Sequence, residues 1–105
     1  MSLRGKKIGL LISVRPEHPN FQRGLKLAAT ALAEGVSVYL YCIDDAVAGV
    51  TDPHLQALKE RGLRLFACAY GAQRRNLALS DKAIFAGLTV VTDLISGTDR
   101  FVSFN

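Results

Sequence analysis

Residues 20–43 read N-F-Q-R-G-L-K-L-A-A-T-A-L-A-E-G-V-S-V-Y-L-Y-C-I. In the first part of this stretch apolar residues recur at steps of three and four, at Phe21, Leu25, Leu27, Ala28, Ala31 and Leu32. That is the spacing of one helix face. Asn20 is a residue type that caps helix N-termini, and Gly35, just past Glu34, is the type that ends them. From Val36 to Ile43 the pattern becomes β-rich, with Val38, Tyr39, Leu40 and Tyr41 in succession. A capped amphipathic helix leading directly into a strand is half of a repeating β–α arrangement.

The same alternation extends in both directions. Upstream, Lys7 to Val14 is a continuous apolar run of the kind found in strands covered on both faces, and the polar loop Arg15 to Pro19 breaks it. Downstream, Asp44-Asp45 ends the second strand, and Ala46 to Val50 fits a short helical turn. Asp52-Pro53 supplies an N-cap followed by proline at the first helical position. A helix over His54 to Arg61 then closes at Gly62. Leu63 to Ala67 is a third strand that runs out at Cys68, and Tyr70 to Asn76 is a loop or short helix. Ala83 to Ala86 reads as a brief fourth strand, and Phe101 to Phe104 as a last one. Between them Gly87 to Ser96 reads as a helix ended by Gly97, although Thr89, Val90, Val91 and Thr92 are β-branched. The expected fold is α/β, a mainly parallel sheet with helices on both faces. Right-handed crossovers would bring the C-terminal ends of the strands to one edge, where open α/β sheets bind ligands. Three loops should meet there: Ser13 to His18, Asp44-Asp45, and Cys68 to Asn76. Strand order is not readable from the sequence.

Composition narrows the function classes. The 105 residues suit one domain spanning 1–105, with a core that needs neither disulfide nor metal. Half of the residues are hydrophobic and the mean hydropathy is +0.21. Such an apolar excess points to a sheet buried on both faces, to apolar surface buried between copies, or to both. The net charge of +4 comes from basic residues spread along the chain, without a run or an aromatic–basic alternation. Direct nucleic-acid binding therefore has no motif. No stretch approaches the ~20 apolar residues of a membrane span. The apolar run after Arg4, Lys6 and Lys7 is short, ends at Arg15-Pro16 and lacks a small-residue cleavage site, so it reads as a strand and not as a signal peptide. A cytoplasmic location follows as the expectation. There Cys42 and Cys68 should be free thiols. With His18 and His54 they form none of the paired spacings of a zinc site, and no metal or cofactor is expected.

The candidate chemistry centres on Cys68. It stands at a strand end, before a loop carrying Arg74 and Arg75. Backbone N–H groups and guanidinium charge at such a place stabilise a thiolate, the nucleophilic form of cysteine. The competing reading is a small buried hydrophobe, a common fate for free cysteine. That second reading is the stronger one for Cys42, which lies inside an apolar strand between Tyr41 and Ile43. Cys68 to Arg74 reads C-A-Y-G-A-Q-R, the cysteine–arginine spacing of thiol phosphatases. Here, however, the arginine is not followed by Ser or Thr, Gly71 is the only glycine of the loop, and no Asp is placed to protonate a leaving group. Asp44 and Asp45 could act as a base pair but fit strand termination and turn capping better. His18 reads as an exposed loop residue and His54 as solvated at a helix start. A phosphoacceptor receiver would need acids after the first strand and an Asp after the third, where this chain has Ser13-Val14-Arg15 and Cys68. No nucleotide-binding glycine motif is present.

Taken in order, P-N-F-Q-R-G-L-K-L-A-A-T-A-L-A-E-G-V-S-V-Y-L-Y, then D-D-A-V, then L-R-L-F-A-C-A-Y-G-A-Q-R-R-N-L, and finally G-L-T-V-V-T-D-L-I-S-G-T-D-R-F-V-S-F, the chain resembles the DsrE/DsrF-like family over nearly its whole length. The resemblance implies a three-layer α/β/α fold around a five-stranded sheet, assembled as a homotrimer or homohexamer. It also implies a role in sulfur relay, with sulfur carried as a persulfide on a cysteine at the end of the third strand. That position is Cys68. An upstream donor protein would supply the sulfur and a downstream acceptor protein would receive it. Where members often have Arg-Gly, this chain has Arg75-Asn76-Leu77; asparagine tolerates the left-handed conformation that such a turn needs. On this reading N–H groups of Ala69 to Ala72 and the charge of Arg74 or Arg75 stabilise the thiolate. Tyr70 shields the persulfide or packs at a subunit contact, and Arg15 orients an incoming partner. The alternatives are a non-catalytic interaction or small-molecule-binding module with Cys68 buried and inert, and a phosphatase-like use of Cys68 and Arg74.

Overall fold

Five parallel strands in the order β4-β3-β2-β1-β5 make the sheet that organises the molecule. The structure is a computed structural model and describes residues 3–105. Along the chain run β1 (Lys7–Ile12), α1 (Pro19–Ala33), β2 (Ser37–Cys42), a 3-10 segment (Asp44–Gly49), α2 (Pro53–Glu60), β3 (Arg64–Cys68), α3 (Ala69–Arg74), β4 (Ile84–Ala86), α4 (Thr89–Gly97) and β5 (Arg100–Phe104). The expected alternation holds throughout, and residues 89–97 are helical despite their β-branched content. Two boundaries differ from expectation. The N-cap of α1 is His18, not Asn20: the His18 Nδ1 accepts the Asn20 N–H at 3.1 Å. Pro19 then occupies the first helical turn, where its missing N–H costs nothing. Gly97 lies inside the last turn of α4, and Thr98 follows as the cap.

Alternation along the strands divides the core into two layers. On one face Leu10, Ile12, Val38, Leu40, Leu65 and Ala67 pack against Phe21, Leu25 and Ala28 of α1 and against Leu55 and Leu58 of α2. On the other, Tyr41 and Cys68 cluster with Val47 of the 3-10 segment, Ala72 of α3 and Leu94 of α4. The second layer is thinner. Leu11, Tyr39, Phe66 and Phe101 are only partly buried there, and Ile84, Leu88 and Ile95 are each more than half exposed.

The 3-10 segment is held close to α1. A Cβ built at Gly49 would sit 2.5 Å from Cζ of Phe21 and 2.9 Å from Pro16. Glycine is therefore required at 49 for the backbone to pass. The segment opens at Asp44, in the left-handed region at φ 53, and it places Asp44 and Asp45 at the C-terminal edge of the sheet beside the end of β3. Among the described residues no helix is long and apolar enough to cross a membrane.

Candidate active site at the end of the third strand

Cys68 is the last residue of β3, hydrogen-bonded in register with Ala86 of β4, and α3 begins at the next residue. The cysteine thus caps α3 with its sulfur: the Gly71 N–H donates to Sγ at 3.3 Å. The backbone stays extended at 68 (φ −70, ψ 115), which leaves the side chain free to turn back over the first turn of α3. Of the backbone donors expected around the sulfur, Gly71 provides this contact. Gly71 also sits where α3 meets the 3-10 segment, since a Cβ there would stand 3.2 Å from Val47 Cγ2.

The sulfur faces a cleft of about 670 Å³ lined by Ile43, Asp44, Tyr70, Arg74, Arg75 and Leu88, with Gly71 and Gly87. Cys68 is 5% exposed and so forms the floor of this cleft. Both arginines have other partners. Arg75 donates to Asp45 Oδ1 at 2.9 Å and to the Gly71 carbonyl at 3.3 Å, which ties the 3-10 segment to α3. Arg74 lies over the Tyr70 ring, 5.8 Å from its centroid, and donates to the phenol oxygen at 3.4 Å. Tyr70 itself is 65% exposed at the rim. Asn76 adopts φ 54 after α3, the left-handed turn expected of it.

Arg15 is not among the lining residues; it is exposed in the β1–α1 loop, where its Nε stands 4.0 Å from Glu17. At the start of that loop the Ser13 hydroxyl donates to Asn105 Oδ1. Of the three loops expected at the sheet edge, two form the cleft. The phosphatase-like arrangement is also not formed. Residues 69–74 are helical, so the N–H groups of Gln73 and Arg74 belong to the helix ladder and do not converge on an anion. His18 is a cap and His54 is exposed. Cys42 is fully buried on the α1/α2 face, where burial pushes its thiol up to about 12.

One residue of the site escapes a reading by sequence. Tyr41 pairs with Phe66 across β2 and β3, so Cys68 is its diagonal neighbour on the same face. Its ring is fully buried, and its hydroxyl reaches over β3 to donate to the Ala86 carbonyl at 3.0 Å. Burial raises the phenol well above its ordinary value, and the charge and hydrogen bonding of Cys68 push the same way. The alternating pattern marks Tyr41 as a strand residue; only strand order and register set it beside the cysteine. Among the described residues no group of three or more His, Cys, Asp or Glu side chains gathers as a metal site would need.

Comparison with known proteins agrees with this architecture. The YchN protein from E. coli superposes with a TM-score of 0.78 at 18% identity, over 94% of this chain and 99% of that one. A conserved protein of unknown function from Bacteroides thetaiotaomicron, BT1422, gives 0.75 at 14% identity, over 93% and 94%. At these identities the likeness speaks for the fold alone. A sequence search finds no match among curated proteins. The model of the DsrE/DsrF-like family matches residues 6–104, from the first strand through the last. On that match the chain belongs to the DsrE/DsrF-like family.

Proposed function

We propose that the protein is a sulfur carrier that holds sulfane sulfur as a persulfide on Cys68 and passes it between protein partners. The observation that carries this reading is the placement of the sulfur: Sγ forms the floor of an open cleft, accepts the Gly71 N–H, and has two guanidinium groups in the cleft wall. In the loading step the Cys68 thiolate attacks the outer sulfur of a donor persulfide. A new S–S bond forms, the donor's S–S bond breaks, and the donor leaves as a thiolate with no net oxidation or reduction. Unloading is the same exchange with an acceptor nucleophile attacking the outer sulfur and Cys68 leaving. Family membership supports the reading. We place this relay in the cytoplasm, where the thiols stay reduced.

The thin second layer of the core supports self-association. Ile84, Leu88 and Ile95, with Tyr70 at the cleft rim, expose apolar surface on the face that carries Cys68. A homotrimer or homohexamer burying that face would also narrow access to the cleft. Light scattering at micromolar concentration is expected to report such an assembly; a monomer would remove this part of the reading.

The test of the carrier is intact mass after exposure to a persulfide donor. Wild type is expected to gain one reductant-labile sulfur and Cys68→Ser none. The low exposure of Cys68 favours the rival reading, an interaction module with an inert cysteine. That rival is upheld if wild type gains no sulfur and Cys68 reacts with thiol reagents only after denaturation.

A further inference from the structure

Cys68 has a hydrogen-bond donor on the α3 side, Gly71, and a buried hydroxyl on the β2 side, Tyr41. The Tyr41 hydroxyl bridges from the middle of the sheet to the Ala86 carbonyl, and Ala86 is the residue paired in register with Cys68. That hydroxyl ends at the backbone of the residue paired with Cys68, in the same buried cluster, and rotation about its C–O bond redirects the O–H without moving the ring. We propose that Tyr41 is a positioning residue for the Cys68 sulfur: its hydroxyl donates to Ala86 O while Sγ is uncharged and to Sγ when Sγ carries negative charge. This deepens the carrier reading and rests on it.

The consequence for the relay is asymmetric. During loading Cys68 is the attacking thiolate, and a donor that stabilises it also makes it somewhat less nucleophilic. During unloading Sγ is the leaving sulfur, and the same donor lowers the barrier to its departure. Between the two steps Sγ is a neutral, divalent sulfur and the hydroxyl returns to Ala86 O. Tyr41 therefore favours release of sulfur over its capture. The other charged groups at the cleft are Asp44 and Asp45 of the 3-10 segment and Arg74 and Arg75 of α3; the turn between β4 and α4 brings Gly87 and Leu88, which carry no charge. Arg75 is engaged with Asp45 and Arg74 with Tyr70, whereas the Tyr41 side chain shares the buried cluster of Cys68.

Two readouts test this on the full chain. The first is the pH profile of Cys68 alkylation by iodoacetamide, read by mass, in wild type, Tyr41→Phe, and protein with 2,3-difluorotyrosine at 41. Loss of a hydrogen bond to a charged group should slow alkylation at neutral pH up to about tenfold in Tyr41→Phe and move the profile to higher pH. The fluorinated phenol keeps the ring and is a stronger donor, so it should move the profile to lower pH. The second readout is cyanolysis of the loaded protein, in which cyanide takes the outer sulfur as thiocyanate and Cys68 departs as thiolate. Tyr41→Phe should slow this more than it slows loading. Coinciding alkylation profiles in wild type and the fluorinated protein would overturn the proposal, even if Tyr41→Phe fails to fold. If wild type takes up no sulfur while the profiles still shift in opposite directions, the carrier reading falls and Tyr41 stands as a donor to the thiolate.

Discussion

Cys42 and Cys68 are the same residue type in two environments that lead to opposite chemistry. Cys42 points into the α1/α2 layer with no exposure, and burial alone holds its thiol far above the ordinary value of 9.0, at about 12. Cys68 points the other way, onto the cleft. Native protein treated with iodoacetamide near pH 8 is expected to carry no adduct at Cys42, and denatured protein to carry one; peptide mapping by mass distinguishes the two. At this scale much was legible in advance. The flanks Tyr41 and Ile43 mark Cys42 as a packed residue, and the exit from an apolar strand marks Cys68. Asn76 announces its left-handed turn by its identity. Two residues were not legible. His18 caps α1 because Pro19 fixes where the helix starts, whereas capping preference alone favours Asn20. Arg15 has the right charge but does not line the cleft, and no local pattern encodes that.

The 3-10 segment is the element on which the cleft depends. It supplies Asp44 to the wall and Asp45 to the pair with Arg75. Its position is fixed by Gly49, which lets the backbone pass against the buried ring of Phe21. Gly49→Ala is expected to destabilise by about 1–3 kcal/mol, the usual cost of forcing a methyl into a packed core. Urea unfolding measures this, and an unchanged midpoint would show that the segment is free to shift. The five strands and the helices α1, α2 and α4 are legible in the sequence, most clearly where caps, prolines and glycines sit at the ends of periodic runs. Gly87 to Ser96 reads as a helix even though its β-branched residues favour a strand, and residues 89–97 are helical. The sequence does not decide between loop and helix for α3, since the six residues 69–74 are too few for periodicity to show.

At the scale of the molecule, strand order decides which residues become neighbours, and it is the one feature of the sheet that element-by-element reading does not contain. Tyr41 joins the site only through it. The two buried acids, Cys42 and Tyr41, also set how the whole fold responds to base. Each is raised in the folded state, so each contributes stability that is complete below its unfolded value and is lost as pH climbs toward its folded one. For Cys42 the window opens near 9.0 and closes near 12, and Tyr41 adds to it from 10.0 upward. Stability by urea titration should therefore fall above pH 9, by up to about 1.4 kcal/mol per pH unit while Cys42 is in its window, with a smaller further loss from Tyr41. Cys42→Val should flatten the first part of the fall; a wild-type curve flat to pH 11 would contradict the burial of both.

The order β4-β3-β2-β1-β5 also has a consequence in time. Strand β1, K-I-G-L-L-I, lies between β2 and β5, and its Ile8 is paired with Arg100, 92 residues away. During synthesis β2 reaches β1 early, but the other edge of β1 stays open until residues 100–104 emerge. At roughly 5–20 residues per second that interval lasts several seconds. An apolar strand with a free edge is a template for other chains. Strand β5 thus closes that open edge of the nascent protein, and a chain cut short before Arg100 would leave it open for good.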